Sequence, residues 1–276
     1  MIPDSGRLIA DVTDAMREVA ETIILPRFNQ LAEGDVRSKT NPRDLVTIAD
    51  EEGELALTPV LRDLLPGSLV IGEEAAAADP KVLEHLLSED YVWIIDPIDG
   101  TSNFVHGRAA FAVMVALVRN GETVLGWIHE PLENRTLVGE RGAGARRFSG
   151  GKSVTLRVMP PQSNDLKGMV AALYNPAARE LKSKFARLSW LGSAAHDYWA
   201  LVENRLHVMC YNRLKPWDHA AGVLIHREAG GYNCLLSGVP YNAARANQAG
   251  LLAAPSQEIW ETLRALIPDG SATFPP

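Results

Sequence analysis

Residues 91–99, YVWIIDPID, run five apolar or aromatic side chains directly into two aspartates with a proline between them. A stretch so uniformly apolar reads as a strand buried on both faces, which obliges the chain to build a sheet with layers packed against it. Pro97 has no N–H to give a ladder, so the strand is expected to stop at Asp96 and the chain to turn. That turn would bring Asp96, the carbonyl of Ile98 and Asp99 towards one point. Ligands made of oxygen alone suit a hard cation such as Mg2+ and disfavour metals that prefer thiolate. Gly100, Thr101 and Ser102 follow at once, small and hydroxyl-bearing. A helix beginning near Thr101 would aim its positive end at an anion, so cation and phosphate would meet there.

The rest of the chain is long and apolar enough to enclose such a site. With 276 residues, 46% of them hydrophobic, it holds one large domain or two closely packed halves. A net charge of -7 argues against nucleic acid or an acidic membrane as the main partner, because those demand clustered Lys and Arg. Two cysteines without CxxC spacing, Cys210 and Cys234, read as reduced thiols rather than a disulfide or zinc framework. No basic, apolar leader is legible, and the longest apolar run, residues 111–118, is too short to span a bilayer. A soluble, cytoplasmic chain is expected.

Leu8, Ile9, Val12, Met16, Val19, Ile23 and Ile24 share one helical face, with Asp4 or Ser5 as a cap and Gly34 as a stop. Residues 35–46, including Lys39, are polar and read as a mobile loop. A helix from Thr47 should be kinked or split at Thr58 and Pro59. Residues 69–72 form a short strand delivering Glu73 and Glu74 at its exit. Asn120-Gly121 joins strands 110–119 and 123–129 into a hairpin, and 135–140 continues the meander. The second half alternates instead: strand 169–172, helices 177–188 and 193–204, strand 206–211, and a helix 218–229 ended by Gly230 and Gly231. Strand 250–254 and helix 257–266 close it. Periodicity by itself gives one mixed α/β domain, divided at about residue 150 into 1–150 and 151–276.

Cleaving a phosphate ester requires a poised water, neutralisation of the phosphoryl charge and stabilisation of the leaving oxygen. A pair of divalent ions supplies all three and needs a bridging carboxylate. Asp96, central in its motif, is the natural bridge. Glu73 could complete one ion and Asp99 the other, with Asp218 of the segment PWDHAAG as a fourth acid at a helix start. Each of these alone is ordinary: an isolated DPxDG is usually a turn and a helix-opening Asp usually a cap. Their ordered occurrence is not.

Four ordered blocks, DLVTIAD at 44–50, IGEE at 71–74, WIIDPIDGTSNFVHG at 93–107 and PWDHAAGVLIHREAGG at 216–231, make the chain resemble the inositol monophosphatase family. The resemblance runs from the first helix to the last. It implies an α/β sugar-phosphatase fold of alternating layers of helices and sheets, lithium-sensitive Mg2+-dependent hydrolysis of a small phosphate ester, and a homodimer. One Mg2+ would be held by Glu73, Asp96 and the Ile98 carbonyl and a second by Asp96, Asp99 and Asp218. A third, weaker ion would visit Glu73 through waters. Thr101 with Asp50 would orient and activate the attacking water, Gly100, Thr101 and Ser102 would grip the phosphate, and Lys39 matches a loop lysine that approaches the ions.

The alcohol that leaves is chosen elsewhere. Gly192, Ser193, Ala194 and Ala195 match the family's substrate loop. Seven residues before Asp218, inositol-selective relatives carry an acid, and here Tyr211 stands in that place. A phenol donates and accepts but cannot make a carboxylate's charge-assisted bonds. Arg213 and Lys215 lie nearby and would suit a second anionic group, or are simply surface charges. The substrate class therefore stays open among an inositol-phosphate-like or other polyol ester, fructose 1,6-bisphosphate, histidinol phosphate and a nucleotide 3',5'-bisphosphate. A regulatory binding protein that keeps the fold is the rival from another class.

Overall fold

The computed structural model describes residues 4–39, 41, 44–161, 165–245 and 250–268. In the first half come α1 (Ser5–Val19), β1 (Val36–Ser38), β2 (Leu45–Thr47), α2 (Ile48–Leu64), β3 (Leu69–Gly72), α3 (Glu73–Ala78), β4 (Val92–Asp99) and α4 (Thr101–Val105). A meander follows, of β5 (Ala112–Arg119), β6 (Glu122–Glu130), β7 (Arg135–Glu140), β8 (Gly144–Ser149) and β9 (Lys152–Thr155). The second half holds β10 (Val170–Leu173), β11 (Arg187–Leu188), α5 (Ala194–Val202), β12 (Val208–Tyr211), α6 (Pro216–Glu228), β13 (Tyr232–Leu235), β14 (Leu251–Ala254) and α7 (Gln257–Leu266).

Strands β3 to β9 lie in chain order in a seven-stranded sheet, antiparallel except for the β3–β4 pair. A five-stranded sheet has the order β11-β10-β12-β14-β13. Alternation along each strand sends successive side chains to opposite faces and so generates the layers. Trp93, Ile95, Val113, Val115 and Trp127 face Leu8, Val12, Met16, Leu57 and Leu61 of α1 and α2. Ile94, Met114, Ala116 and Ile128 on the opposite face join Trp199, Ala221 and Ile225 of α5 and α6, and with them Met209 and Ala253 of the second sheet. The far side of that sheet, through Val208, Cys210 and Leu252, packs on Ile259, Trp260 and Leu263 of α7. The result is helix, sheet, helix, sheet, helix.

Two glycines set how closely the central layer sits. A Cβ on Gly126 would lie 2.8 Å from the Ala221 Cα, and one on Gly139 would lie 2.9 Å from the Ile225 Cα. The absent side chains let α6 press its backbone onto β6 and β7. This close seat carries Asp218 towards β4.

Several expectations are corrected. Strand β4 does not stop at Asp96 but runs through Pro97 to Asp99, pairing Asp96 with Met114 and Asp99 with Ala112 across a register shift. An irregularity of this kind is where a sheet tolerates a proline. Pro59 does not split α2, which continues to Leu64; the Thr58 hydroxyl donates to the Glu54 carbonyl at 2.7 Å. Within 35–46, Val36–Ser38 pairs antiparallel with Leu45–Thr47, a hairpin rather than a plain loop, although residues 40, 42 and 43 lie outside the described ones. The expected helix 177–188 shrinks to a 3-10 segment, Ala178–Lys184, followed by β11. Helix α1 ends at Val19 and passes into a wider turn, Ala20–Ile24, well before Gly34. Both cysteines are buried and free, and among the described residues no helix is long and apolar enough to cross a membrane.

Candidate active site

Glu73 opens α3, Asp96 sits on β4 before the register shift, and Asp218 lies in the first turn of α6. One carboxylate oxygen from each comes within 4.8 Å of the others. Three acids meeting this closely form a crowded cluster. Burial first, then the charges of Glu73, Asp99 and Asp218, push the Asp96 carboxyl well above its ordinary range. Asp218 is raised for the same reasons, burial ahead of Glu73 and Asp99. An all-oxygen donor set under mutual repulsion fits a hard divalent cation.

Around this cluster the local sequence builds two supports. Lys39 Nζ reaches Glu73 Oε1 at 2.7 Å and Glu74 Oε1 at 2.6 Å. Burial alone would lower the pKa of Lys39, but Glu73 and Glu74 reverse that and raise it. The second support went unread in the sequence. Glu54, buried one turn beyond Asp50 on α2, accepts the backbone N–H groups of Glu74 at 2.8 Å and Ala75 at 2.9 Å. It caps α3 from outside and so fixes where Glu73 stands. The only sequence signal was an acid on the inward stripe of an amphipathic helix.

Thr101 and Asp50 meet directly. The Thr101 hydroxyl lies 3.2 Å from Asp50 Oδ1 and 3.0 Å from the Ile98 carbonyl oxygen, while Ile98 N–H donates to Asp96 Oδ1 at 3.0 Å. Asp50 is held by Thr47, whose N–H and hydroxyl donate to Oδ2 at 2.8 and 2.6 Å in a capping box. Its pKa is pushed up to about 6, by burial against the opposing pull of the Thr47 bonds.

Asp99 faces the other way. Its Oδ1 accepts the Ala194 N–H at 3.1 Å, and its Oδ2 accepts the Ala195 N–H at 2.9 Å together with the Ser193 hydroxyl. The start of α5 thus grips Asp99, which stands outside the tight Glu73–Asp96–Asp218 group. Gly100, at φ 90°, lies where a Cβ would fall 2.7 Å from the Ala110 carbonyl and 3.1 Å from the Ser193 Cβ. Ser102 is exposed beside it. Asn103, also unread in the sequence, donates through Nδ2 to the carbonyls of Ala110 (2.7 Å), Leu191 (2.9 Å) and Gly192 (3.2 Å), tying α4 to the 191–195 segment.

Tyr211 donates its hydroxyl to Asp197 Oδ2 at 2.7 Å. Its ring stacks on Tyr174 at 4.2 Å, which in turn packs on Trp190 at 4.6 Å. Buried Asp197 is pushed up to about 7, by burial first. Arg213 is exposed and Lys215 Nζ lies 5.4 Å over the Trp217 ring. His219 bonds to Tyr198 and the Arg213 carbonyl.

The Inositol monophosphatase family model matches residues 8–269. The chain belongs to the inositol monophosphatase family. Among similar members, a protein of Thermotoga maritima named fructose-1,6-bisphosphatase/inositol-1-monophosphatase is 34% identical over 77% of this chain and 80% of its own. A Haemophilus influenzae relative named Nus factor SuhB is 32% identical over 84% of this chain and 85% of its own. A solved Thermotoga maritima IMPase superposes with a TM-score of 0.76 at 28% identity, covering 95% of this chain and 98% of that one. The layered architecture is thus that of this family.

Proposed function

We propose that this site hydrolyses a small phosphate monoester with Mg2+ as cofactor, by direct attack of water and without a phospho-enzyme. The chain is a phosphoric monoester hydrolase by family. The observation that carries the assignment to these residues is the Thr101–Asp50 pair beside the converging Glu73, Asp96 and Asp218. Glu73, Asp96, the Ile98 carbonyl, Asp99 and Asp218 would hold two ions, with a third visiting Glu73. Bound divalent ions acidify a water, neutralise the phosphoryl charge and steady the leaving oxygen.

The chain's own groups do the rest. Asp50 Oδ1 accepts the Thr101 proton, leaving Thr101 Oγ1 free to accept one from the attacking water. Backbone at Gly100, Thr101 and Ser102 would meet the phosphate, and Gly192, Ser193 and Ala194 the leaving alcohol. Tyr211 narrows that alcohol. Its hydroxyl donates to Asp197, so what stands in place of a carboxylate is a neutral phenol oxygen, a weaker acceptor for polyol hydroxyls, beside the stacked rings of Tyr174 and the 60% exposed Trp190. This favours esters that carry an aromatic ring, nucleotide or histidinol phosphates, over inositol phosphates. The family resemblance also supports a cytoplasmic, lithium-sensitive homodimer.

Phosphate release from a panel of inositol 1-phosphate, fructose 1,6-bisphosphate, histidinol phosphate and a nucleotide 3',5'-bisphosphate, with and without EDTA, tests the reading. Release that needs metal and vanishes in Asp96→Asn is expected. The relatives named Nus factor SuhB favour a second reading, a regulatory binding role. Metal-independent silence across the panel would select it.

A further inference from the structure

Segments 99–103 and 191–195 are tied to each other at two points, and their contacts run in opposite order. Asp99, at the start of the first, takes the N–H groups of Ala194 and Ala195 and the Ser193 hydroxyl. Asn103, at its end, reaches the carbonyls of Leu191 and Gly192. Gly100, Thr101 and Ser102 stand between the two ties. The first tie belongs to a carboxylate placed at the ions, whereas the hydrolytic steps make no use of Asn103.

Three oxygens surround Asn103 Nδ2, the carbonyls of Ala110 at 2.7 Å, Leu191 at 2.9 Å and Gly192 at 3.2 Å. A carbonyl only accepts, so the end of the amide facing them is its NH2 and not its oxygen. Two hydrogens serve three acceptors, and at least one is shared. The side chain is 5% exposed, so water does not replace these bonds when they are lost. Aspartate here would set an acceptor against three acceptors, and serine has a single hydrogen to give. The backbone is shaped to admit the amide. Gly192 sits at φ 70°, where a Cβ would fall 3.3 Å from Asn103 Nδ2, and a Cβ on Gly100 would fall 2.7 Å from the same Ala110 carbonyl.

We propose that Asn103 is a positioning residue that sets the offset between the phosphate seat and the alcohol loop, so that the choice among leaving alcohols passes through it and the grip on the phosphoryl group does not. The proposal rests on the reading of Gly100–Ser102 as the phosphate seat and Gly192–Ala194 as the place of the alcohol. Without the Asn103 amide, residues 193–195 are still held by Asp99. The loop then turns about that tie instead of coming free, and the end that moves is Leu191 and Gly192. A displacement of about 1 Å in a positioning group is enough to lower a rate by about 100-fold.

The test compares Asn103→Ala with the unaltered full chain in Mg2+. One readout is kcat/KM for inositol 1-phosphate, fructose 1,6-bisphosphate, histidinol phosphate and a nucleotide 3',5'-bisphosphate. The other is inhibition by inorganic phosphate, which has no alcohol to meet the loop. The ratio of kcat/KM between the best and the poorest ester is expected to shrink about tenfold or more, while inhibition by phosphate stays within about twofold of the parent. A merely structural role would not split the two. Esters and phosphate weakened alike, or an ester preference left intact in a folded variant, would overturn the proposal. Amide exchange in the unaltered chain needs no variant: Ala194 and Ala195 should open as one unit with Asn103 and Phe104 of α4, whose N–H groups are bonded to the Gly100 carbonyl. Independent opening of the two segments would overturn the clamp even if Asn103→Ala does not fold. Phosphate release from none of the esters by the unaltered chain would instead overturn the hydrolytic reading, and the exchange measurement would still decide the clamp.

Discussion

Glu54 and Glu74 meet across the gap between α2 and α3, the carboxylate of one accepting the backbone N–H of the other at 2.8 Å. Like charges in one small region are ordinarily pushed apart; here the charge of Glu54 is directed at a helix start, where amide groups need an acceptor. Gly72, just before α3, makes room, because a Cβ there would overlap the Glu54 carboxylate. Glu54→Ala should therefore cost about 2 kcal/mol, two charge-assisted bonds to the start of α3 being lost. For a chain of this size that is about 4–8 °C in melting temperature. The Mg2+ concentration for half-maximal activity should rise with it, because Glu73 begins the helix that Glu54 caps. A stable variant with unaltered Mg2+ dependence would refute this link.

Stability in a chelator should fall as pH rises. Asp50 is pushed up to about 6 and Glu74 to about 7, and Asp96 and Asp218 lie well above their ordinary range. An acid whose folded pKa exceeds its unfolded value, about 4, binds its proton more tightly in the native chain. The stabilisation is complete below about pH 4 and is lost as pH climbs through the folded values. Melting curves in EDTA should thus shift downward between about pH 5 and pH 8, and Mg2+ should restore them most at the upper end.

Asp96→Asn separates stability from function. Removing one of the crowded charges should raise the melting temperature of the chelated protein while metal-dependent phosphate release disappears. Calorimetry in EDTA that finds the variant less stable than the parent would count against charge crowding as the state of this cluster.

The acid limb of the activity profile should report Asp50. Its carboxylate must be ionised to take the Thr101 proton, so kcat should decline below about pH 6. Thr101→Ala or Asp50→Asn should lower kcat by about 10²–10⁴-fold. Retention of most activity in both would remove the pair from the chemistry.

Tyr211→Phe strips Asp197, buried, of a donor at 2.7 Å. A loss of about 1–3 kcal/mol is expected, measurable as a lower denaturant midpoint. No loss would show that Asp197 finds another partner or stays protonated.

Much of this was legible because the ordering signals are local. The apolar run before Asp96, the Asn120-Gly121 hairpin, the helix start at Thr47 and the first cap, offered by Asp4 or Ser5 and taken by Asp4, depend on neighbours in sequence. The errors came where tertiary contacts outweighed local preference. Pro97 is carried within β4 by a register shift, and Pro59 within a helix whose inward stripe of Leu57 and Leu61 is buried against α1 and the sheet. Residues 177–188 have helical composition but make a 3-10 turn and a sheet edge, a choice made by packing under Phe185. At the site, the convergence of Glu73, Asp96 and Asp218 was readable from motifs. Glu54 and Asn103 were not, since each acts through backbone groups distant in sequence, and no short pattern records that.

Helix α6, seated on β6 and β7 through Gly126 and Gly139, brings Asp218 from one half of the chain to Glu73 and Asp96 of the other. A cation held by all three is then a rivet between the middle helical layer and the strand below it. Its removal would free the two halves to open separately. Amide exchange at the β4 end and in the first turn of α6 would quicken together, so the protein would sense the loss of its ion as a loosening of its own seam.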